Sequence, residues 1–180
     1  MSLKEYYIKN VTPVLKEKFG YKNILAVPKI EKVVLNIGIH LGMKDKVNMI
    51  ENTLARISGQ KPVKTLSKKS ISNFKIRQGM VIGAKVTLRK AKMYDFLNKL
   101  INVVLPRLRD FHGLIEKSMD KNGNYSIGFR EHIVFSEINP EEIDNLHGLE
   151  LTIVTTAKNK EEGLELLKLL GFPFEKKGNK

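Results

Sequence analysis

The sequence predicts an α+β fold with a single twisted, mainly antiparallel sheet, helices packed on one face and one long protruding loop. Segments with the two-residue alternation of strands are interspersed irregularly with segments of helical periodicity, an order typical of one sheet covered by helices on a single face. No internal repeat, low-complexity tract or linker interrupts the 180 residues. We therefore expect one domain spanning residues 1–180.

The N-terminal segments predict a helix, a strand and a second helix. Residues 2–20 are helical in pattern up to Gly20, and Pro13 is expected to kink or split that helix. "KIEKVVLNIG" alternates as a strand, with Val33, Leu35 and Ile37 on its apolar side. "KDKVNMIENTLARISG" carries a helical apolar stripe and ends at Gly59.

The remaining segments complete the α+β pattern. "PVKTLSK" and "GAKVTLR" predict short strands, "MYDFLNKLINVVL" predicts a helix that stops at Pro106, and "NYSIGFREHIVF" and "LELTIVTT" predict two further strands. "NKEEGLELLKLLG" predicts a closing helix with Asn159 as its N-cap.

Positive charge is concentrated in the middle of the chain. The net charge is +13, and the 43 residues between Glu51 and Asp95 hold eleven cations and no carboxylate. A solvated face normally mixes both signs, so this exclusion of acid favours contact with phosphates of nucleic acid. Zero cysteines exclude disulfides and thiolate metal sites and favour an intracellular protein. No apolar run is long enough to span a bilayer.

One face of the predicted sheet is polar and basic. If Val86 and Leu88 point to the helices, then Lys85, Thr87 and Arg89 share the opposite face, and Lys32, Asn36, Ser126, Arg130 and His132 join them from other strands. Such a face is free to bind RNA, because cations meet phosphates while amides and hydroxyls bond sugars and base edges. An ordinary solvated sheet face has the same pattern.

About fifteen residues separate the strands "PVKTLSK" and "GAKVTLR", more than a plain hairpin needs. This insert carries Phe74 among cations and has Gly79 and Gly83 as candidate hinges. Phe74 can stack on an exposed base or sugar. It can equally fold back onto the body of the protein, and the pattern does not decide between the two.

Several long motifs resemble a known family. "ISGQKPVKTLSKKSISNFKIRQGMVIGAKVTLR", "LPRLRDFHGL", "GNYSIGFREHIVFSEI" and "LTIVTTAKNKEEGLELLKLLGFPF", together with "VVLNIG", resemble the bacterial-type large ribosomal subunit protein five, in order and over nearly the whole chain. The resemblance implies a structural protein of the large ribosomal subunit, cytoplasmic, that binds 5S rRNA and large-subunit 23S-type rRNA in the central protuberance. It implies no enzymatic activity, cofactor, metal or membrane contact, and we expect no homo-oligomer.

The resemblance also implies roles for individual residues. The expected 5S rRNA surface comprises Lys32, Asn36, Gln60, Lys61, Thr65, Lys68, Lys69, Lys85, Thr87 and Arg89. The insert over residues 70–83 resembles the family loop that touches P-site tRNA, here through Ser72, Asn73, Phe74, Lys75, Arg77, Gln78 and Met80. The segment Arg109, Asp110, Phe111 and His112 resembles the part of the family that bridges to small-subunit protein thirteen. Neighbouring 5S-binding ribosomal proteins are further expected partners.

The chain departs from the family pattern at a few positions. It reads "IGIHLGMKD" after Asn36, has Ser136 where proline is common, and has His147 where arginine is frequent. The change at His147 is expected to alter a bridge contact, and the loop near His40 to alter local contacts.

Three alternatives remain for comparison: a non-ribosomal basic RNA-binding protein, an RNA-processing enzyme and a membrane-surface protein. No glycine-rich phosphate loop, HExxH or nucleophile elbow is present, and the four histidines lack ligand spacing. No basic amphipathic helix supports membrane binding. Asp120, Asn122, Asn124 and Glu131 match part of a calcium loop, but Tyr125 occupies its glycine position, so an Asn122-Gly123 turn is the preferred interpretation.

Overall fold

The structure is a computed structural model that describes residues 2–39, 46–109, 111–139 and 146–175. Its strands are β1 (Ile30–Gly38), β2 (Val63–Leu66), β3 (Val81–Leu88), β4 (Tyr125–Phe129) and β5 (Leu149–Thr155). They form one open, antiparallel sheet in the order β2-β3-β1-β5-β4, with helices packed against it. The predicted α+β class is confirmed.

The described helical segments follow the predicted order. They are α1 (Leu3–Tyr6), α2 (Thr12–Lys18), α3 (Val47–Ser58), α4 (Lys90–Lys99), α5 (Leu105–Arg107) and α6 (Lys160–Leu169). Two five-residue π-helical turns, Tyr7–Val11 and Leu100–Val104, join α1 to α2 and α4 to α5. The predicted helix ends at Gly20 and Gly59 are confirmed, since both glycines adopt positive φ.

The two π turns accommodate the prolines of these helices. Pro13 and Pro106 each lie in the first turn of the α-helix that follows a π turn. Proline lacks an N–H, and its ring collides with the carbonyl four residues earlier in a regular α-helix. The wider π turn changes that spacing. The predicted stop at Pro106 is confirmed to within one residue, because the helix ends at Arg107.

The chain divides into two compact units. The terminal unit comprises residues 1–33, 89–127 and 152–180, and the central unit comprises residues 34–88 and 128–151. The single domain expected from the sequence stays a prediction.

In the terminal unit, α4 buries one apolar side and α6 has a capped N-terminus. The apolar stripe of the α4 region is buried, at Met93, Phe96, Leu97, Leu100 and Val104. Asn159 caps α6 as predicted, because its Oδ1 accepts a hydrogen bond of 2.9 Å from the Glu162 N–H. The Glu162 carboxylate accepts from the Lys158 N–H, one residue before the N-cap.

The turn before β4 is organised by Asp120. Its Oδ1 accepts hydrogen bonds from the N–H groups of Asn122 and Asn124, at 2.9 and 2.7 Å, and its Oδ2 accepts from Asn124 Nδ2 at 2.8 Å. Gly123 has φ +77°, which suits a glycine. The Asp120 carboxylate thus stabilises a turn through local hydrogen bonds. This supports the Asn122-Gly123 turn, the interpretation preferred from the sequence.

We expect Asp120→Ala to lower the free energy of unfolding by about 1 kcal/mol near neutral pH. The N–H groups of the turn lose their carboxylate acceptor, and because the turn is open to solvent, water replaces part of the lost hydrogen bonding. Partial burial raises the Asp120 pKa, but the hydrogen bonds from Asn124, Asn122 and Gly123 outweigh it, and the net pKa lies below the ordinary value. A carboxyl group whose pKa is lower in the folded state than in the unfolded state stabilises the fold at pH values above its unfolded-state pKa. This stabilisation is lost as the pH falls through the folded-state pKa.

The test is urea unfolding of wild type and Asp120→Ala at about pH 6 and about pH 3. The difference between the two proteins should shrink at the lower pH. Asp95→Ala, which removes an exposed carboxylate from α4, serves as the control. An Asp120 effect that stays constant with pH would contradict this role for the ionised carboxylate.

The central unit is a helix-on-sheet layer. Helix α3 packs against β3, and both elements bury their apolar side chains: Ile50, Leu54, Ile57, Ala84, Val86 and Leu88. The predicted inward directions of Val86 and Leu88 are therefore confirmed. On β1, Leu35 and Ile37 are buried while Val34 and Asn36 are half-buried.

The strand predicted over "NYSIGFREHIVF" is shorter than expected. Strand β4 ends at Phe129, and a short 3-10 turn, His132–Val134, follows. The alternation of burial stops there, since Glu131 is exposed and His132 is buried. Phe135 is buried and packs edge-to-face on Phe129, with ring centroids 5.5 Å apart. His132, predicted on the exposed polar face, is only 2% exposed, so that prediction is wrong.

Candidate nucleic-acid interface

The polar sheet face of the central unit is set by the pairing of β2 with β3. The antiparallel register aligns Val63 with Lys85 and Thr65 with Gly83. Directly opposed residues of a pair share one face of a sheet, and Thr87 joins that face two residues after Lys85. Lys85 is exposed and Thr65 and Thr87 are half-buried, so cation and hydroxyl groups occur together on one side.

Gln60 and Lys61 border this face at the entry to β2. Both side chains are exposed, and Gln60 Nε2 donates a hydrogen bond of 3.3 Å to the Thr87 carbonyl oxygen. The turn that holds Gln60 is ordered by Ser58, whose hydroxyl donates to the Gln60 carbonyl at 3.1 Å. Residues 27 positions apart in sequence are thereby joined.

Gly83 allows β1, β2 and β3 to approach closely beneath this face. A Cβ placed on Gly83 would lie 2.7 Å from the Ile37 carbonyl oxygen and 2.7 Å from Thr65 Oγ1. Gly83 is buried inside β3, so its predicted role as a loop hinge is wrong. The residue is a glycine because strand packing leaves no room for a side chain.

The protruding loop connects β2 to β3 and comprises residues 67–80. The last three residues of the predicted insert, 81–83, belong to β3 instead. The base of the loop is closed by two backbone hydrogen bonds, from the Ser67 N–H to the Met80 carbonyl at 2.8 Å and from the Gly79 N–H to the Ser67 carbonyl at 2.9 Å. Gly79, the other predicted hinge, has φ +83°, a conformation that glycine tolerates.

The tip of the protruding loop is a small closed turn. Ile71 and Ile76 pair through two backbone hydrogen bonds of 2.9 and 3.1 Å, and Ser72–Phe74 forms a 3-10 turn between them. Phe74 is 60% exposed. Phe74 therefore does not fold back onto the body of the protein. Ile76, on the other side of the turn, is half-buried.

The remaining predicted loop residues surround this tip. Ser72, Asn73, Lys75, Arg77 and Gln78 are exposed and Met80 is half-buried. The Arg77 N–H lies 3.0 Å from Met80 Sδ, and the Gln78 N–H donates to Ser70 Oγ at 3.0 Å. Lys68 and Lys69 are exposed at the loop base, next to the Ser67 hydroxyl that donates to the Lys69 carbonyl.

Two predicted cations belong to the terminal unit. Arg89 Nη1 lies 3.4 Å and Lys32 Nζ 3.8 Å from Glu31 Oε1. Exposed ion pairs of this kind contribute at most about 1 kcal/mol. Phosphate groups can therefore compete with Glu31 for both cations.

The predicted bridge segment also belongs to the terminal unit. Arg109 and His112 are exposed and Phe111 is half-buried, while Asp110 lies outside the described residues. The chain after His112 is fixed to the C-terminal segment, because the Leu114 N–H donates to the Pro173 carbonyl and the Glu175 N–H donates to the Leu114 carbonyl. Gly113, with φ +113°, lies against the Glu175 backbone.

Sequence analysis missed the pairing of two histidines in the central unit. The rings of His132 and His147 stack with centroids 3.8 Å apart and planes inclined by 15°. His147 is 6% exposed, so its ring is not available for direct contact with a partner, and an altered bridge contact stays a prediction. Burial lowers the His132 pKa, despite opposing contributions from the His147 backbone and Glu131. The loop near His40, where the sequence departs from the family pattern, lies outside the described residues.

Neither a membrane-spanning helix nor a metal-binding cluster occurs in the part of the chain that the structure describes. No helix within them is long and apolar enough to cross a membrane. No group of three or more histidine, aspartate or glutamate side chains in that part of the chain is placed to hold a metal ion.

Family models match most of the chain. Residues 23–77 match the model described as "Ribosomal protein L5", and residues 81–174 match the model that describes the C-terminus of the same ribosomal protein family. The two models meet within the protruding loop and the start of β3.

Close relatives match over nearly their full lengths. The protein named large ribosomal subunit protein uL5 of Halothermothrix orenii is 56% identical over 174 residues, which cover 96% of this chain and 97% of the relative. Proteins of the same name from Thermotoga maritima and Clostridium tetani are each 53% identical, over 97% and 96% of this chain and 96% and 97% of the relatives.

Proposed function

Because the chain belongs to the ribosomal protein L5 family, we propose that it is a structural constituent of the large ribosomal subunit that binds 5S rRNA through its polar sheet face. Family membership confirms the prediction that the chain is a ribosomal protein and not an enzyme. The proposal concerns the particular RNA and the residues that contact it.

The observation that carries the proposal is the polar face of the central unit. Lys85 and Thr65 share that face through the β2–β3 register, Thr87 follows on β3, and Gln60 is hydrogen-bonded to the Thr87 backbone. Amide and hydroxyl groups can bond ribose 2′-hydroxyls and base edges, while the lysines neutralise phosphates. Asn36 of β1 and Lys61, Lys68 and Lys69 extend the proposed contact on the central unit. Lys32 and Arg89 are proposed 5S rRNA contacts of the terminal unit.

We assign a separate role to the protruding loop. Its exposed Phe74, flanked by Lys75 and Arg77, suits contact with the sugars and bases of P-site tRNA. The segment around Arg109, Phe111 and His112 is the proposed bridge to small-subunit protein thirteen, and 23S-type rRNA and neighbouring 5S-binding proteins are the other proposed partners.

The test of 5S binding is a salt-titrated binding curve for the purified protein. Affinity is measured for 5S rRNA and for an unrelated structured RNA of equal length. Specific binding predicts a large preference for 5S rRNA that persists at high salt, because contacts to sugars and base edges release no counterions. Equal binding to both RNAs that disappears with salt would leave only a non-specific polycation.

We expect Lys85→Ala and Arg89→Ala each to weaken 5S binding and to reduce the salt slope by about one unit, since each side chain neutralises about one phosphate. Lys160→Ala, which removes an exposed cation at the start of α6, is the matched control and should leave the slope unchanged. A slope that is identical in wild type and the Lys85 and Arg89 variants would show that these side chains do not contact phosphate.

A further inference from the structure

A cleft in the central unit lies between α3 and the segment that enters β2. Its volume is about 320 Å³, at the lower end of the range of about 300–1,000 Å³ for sites that take small ligands. Its lining residues are Glu51, Asn52, Ala55, Gly59, Gln60, Lys61 and Pro62. Gln60 and Lys61 are also members of the proposed 5S rRNA surface, so the cleft adjoins that surface directly.

Glu51 gives this cleft a carboxylate in an otherwise acid-free region. It is the last acidic residue before the 43-residue stretch without carboxylates, and its side chain is 24% exposed. Glu51 Oε2 lies 3.6 Å from Lys64 Nζ, and Lys64 is paired with the buried Ala84 in the β2–β3 ladder. Lys64 thus extends from the α3 side of the sheet and places a positive charge near the carboxylate.

We propose that this cleft binds one unpaired guanine base of RNA, with Glu51 as the residue that selects guanine. A carboxylate only accepts hydrogen bonds and can accept two in parallel. The Watson–Crick edge of guanine presents two neighbouring donors, N1–H and the N2 amine. Adenine presents one donor beside an acceptor, N1, which a carboxylate repels. Sequence-specific RNA recognition commonly reads such splayed-out bases on their Watson–Crick edges.

The other walls of the cleft suit a nucleotide. Ala55, Gly59 and Pro62 supply small, largely apolar surface for the face of a base, and Lys61 supplies a cation for its phosphate. Gln60 Nε2 is bonded to the Thr87 carbonyl, so its Oε1 is oriented and can accept from a ribose hydroxyl. The same amide therefore connects the polar sheet face with the cleft. This inference rests on the proposed function, because it assigns one base contact within the RNA-binding surface.

The experiment measures binding of three single-stranded RNA heptamers to the full-length protein. Each heptamer consists of uridines with one central guanosine, inosine or adenosine. Inosine keeps N1–H but lacks the N2 amine, so it removes one of the two proposed hydrogen bonds. We expect at least about tenfold tighter binding of the guanosine heptamer than of the adenosine heptamer, the range of a bidentate contact to a base, with inosine between them.

Glu51→Gln tests the carboxylate itself. An amide offers one acceptor and one donor, which match the N6 amine and N1 of adenine and not the two donors of guanine, so the guanosine-to-adenosine ratio should fall to about one or below. Glu17→Gln, at an exposed position of α2, makes the same change in charge and should preserve the ratio. Because the readout is a ratio, a general gain in affinity from the added positive charge does not affect it. Thermal unfolding of both variants checks that the fold is retained.

Equal binding of the three heptamers by wild type, binding of none of them, or the same guanosine preference in Glu51→Gln would each overturn the inference. The salt-titrated 5S rRNA assay is run on the same protein samples. If 5S rRNA is bound specifically while guanosine is not preferred, the cleft assignment fails and the proposed function stands. If 5S rRNA is not bound specifically, the proposed function itself fails.

Discussion

Gly83→Ala is expected to lower the free energy of unfolding by about 3 kcal/mol, the upper range for overpacking a filled interior. The added Cβ would lie 2.7 Å from both the Ile37 carbonyl oxygen and Thr65 Oγ1. The Ile37 contact involves main chain on β1, which cannot rotate away, so β3 must shift relative to β1. For a chain of this size we expect a fall in Tm of about 6–12 °C, measurable by calorimetry.

Gly38→Ala is the matched control for Gly83→Ala. Gly38 ends β1, lies in the same unit, and has no atom within 4 Å of an added Cβ, so its replacement should change stability by no more than about 1 kcal/mol. Adding Thr65→Ala to Gly83→Ala removes only the side-chain part of the collision and should restore stability partially. Equal melting temperatures for the Gly83 and Gly38 variants would show that the strands separate without cost.

Shortening the tip of the protruding loop should impair steps that depend on P-site tRNA while sparing 5S rRNA binding. Replacing residues 72–75 with Asn-Gly leaves Ile71 and Ile76 as flanking positions of a two-residue hairpin turn, which preserves their pairing. The change removes Phe74, and loss of one aromatic contact to a nucleotide costs about 1–3 kcal/mol. We expect at least about tenfold weaker P-site tRNA binding by ribosomes assembled with the variant.

Phe74→Leu separates aromatic stacking from apolar contact at the same position. It should reproduce much of the loss in tRNA binding if Phe74 stacks on a nucleotide, because leucine is apolar but has no ring face. Affinity for 5S rRNA, measured on the same proteins, should stay within about twofold. A tenfold fall in 5S affinity, equivalent to about 1.4 kcal/mol, would disprove the separation of the loop from the 5S surface.

Local sequence signals predicted most elements of the fold. Alternation placed Leu35 and Ile37 in the core of β1, helical periodicity placed Ile50 and Leu54 on the buried side of α3, and Asn159 was predicted as the cap of α6. These features depend on residues close in sequence, where backbone geometry alone decides which side chains share a face.

Predictions failed where tertiary packing overrides the local pattern. His132 follows the alternation of an exposed strand face, yet the chain turns after Phe129 and buries the ring against His147. Gly83 resembled a loop hinge because glycine is common in hinges, but close approach of β1 and β2 is what excludes a side chain there.

Three features follow from the amino-acid sequence alone: the α+β class, the basic stretch between Glu51 and Asp95 and, through the motifs, the family. Composition and short-range periodicity are properties of the chain that folding does not alter. Three other features became visible in the folded chain: Gln60 bonds to Thr87, Phe74 is exposed at a closed loop tip, and Glu51 lines a cleft beside Lys61. Such contacts join residues distant in sequence or depend on strand register, so only the packed arrangement of α3, β2 and β3 specifies them.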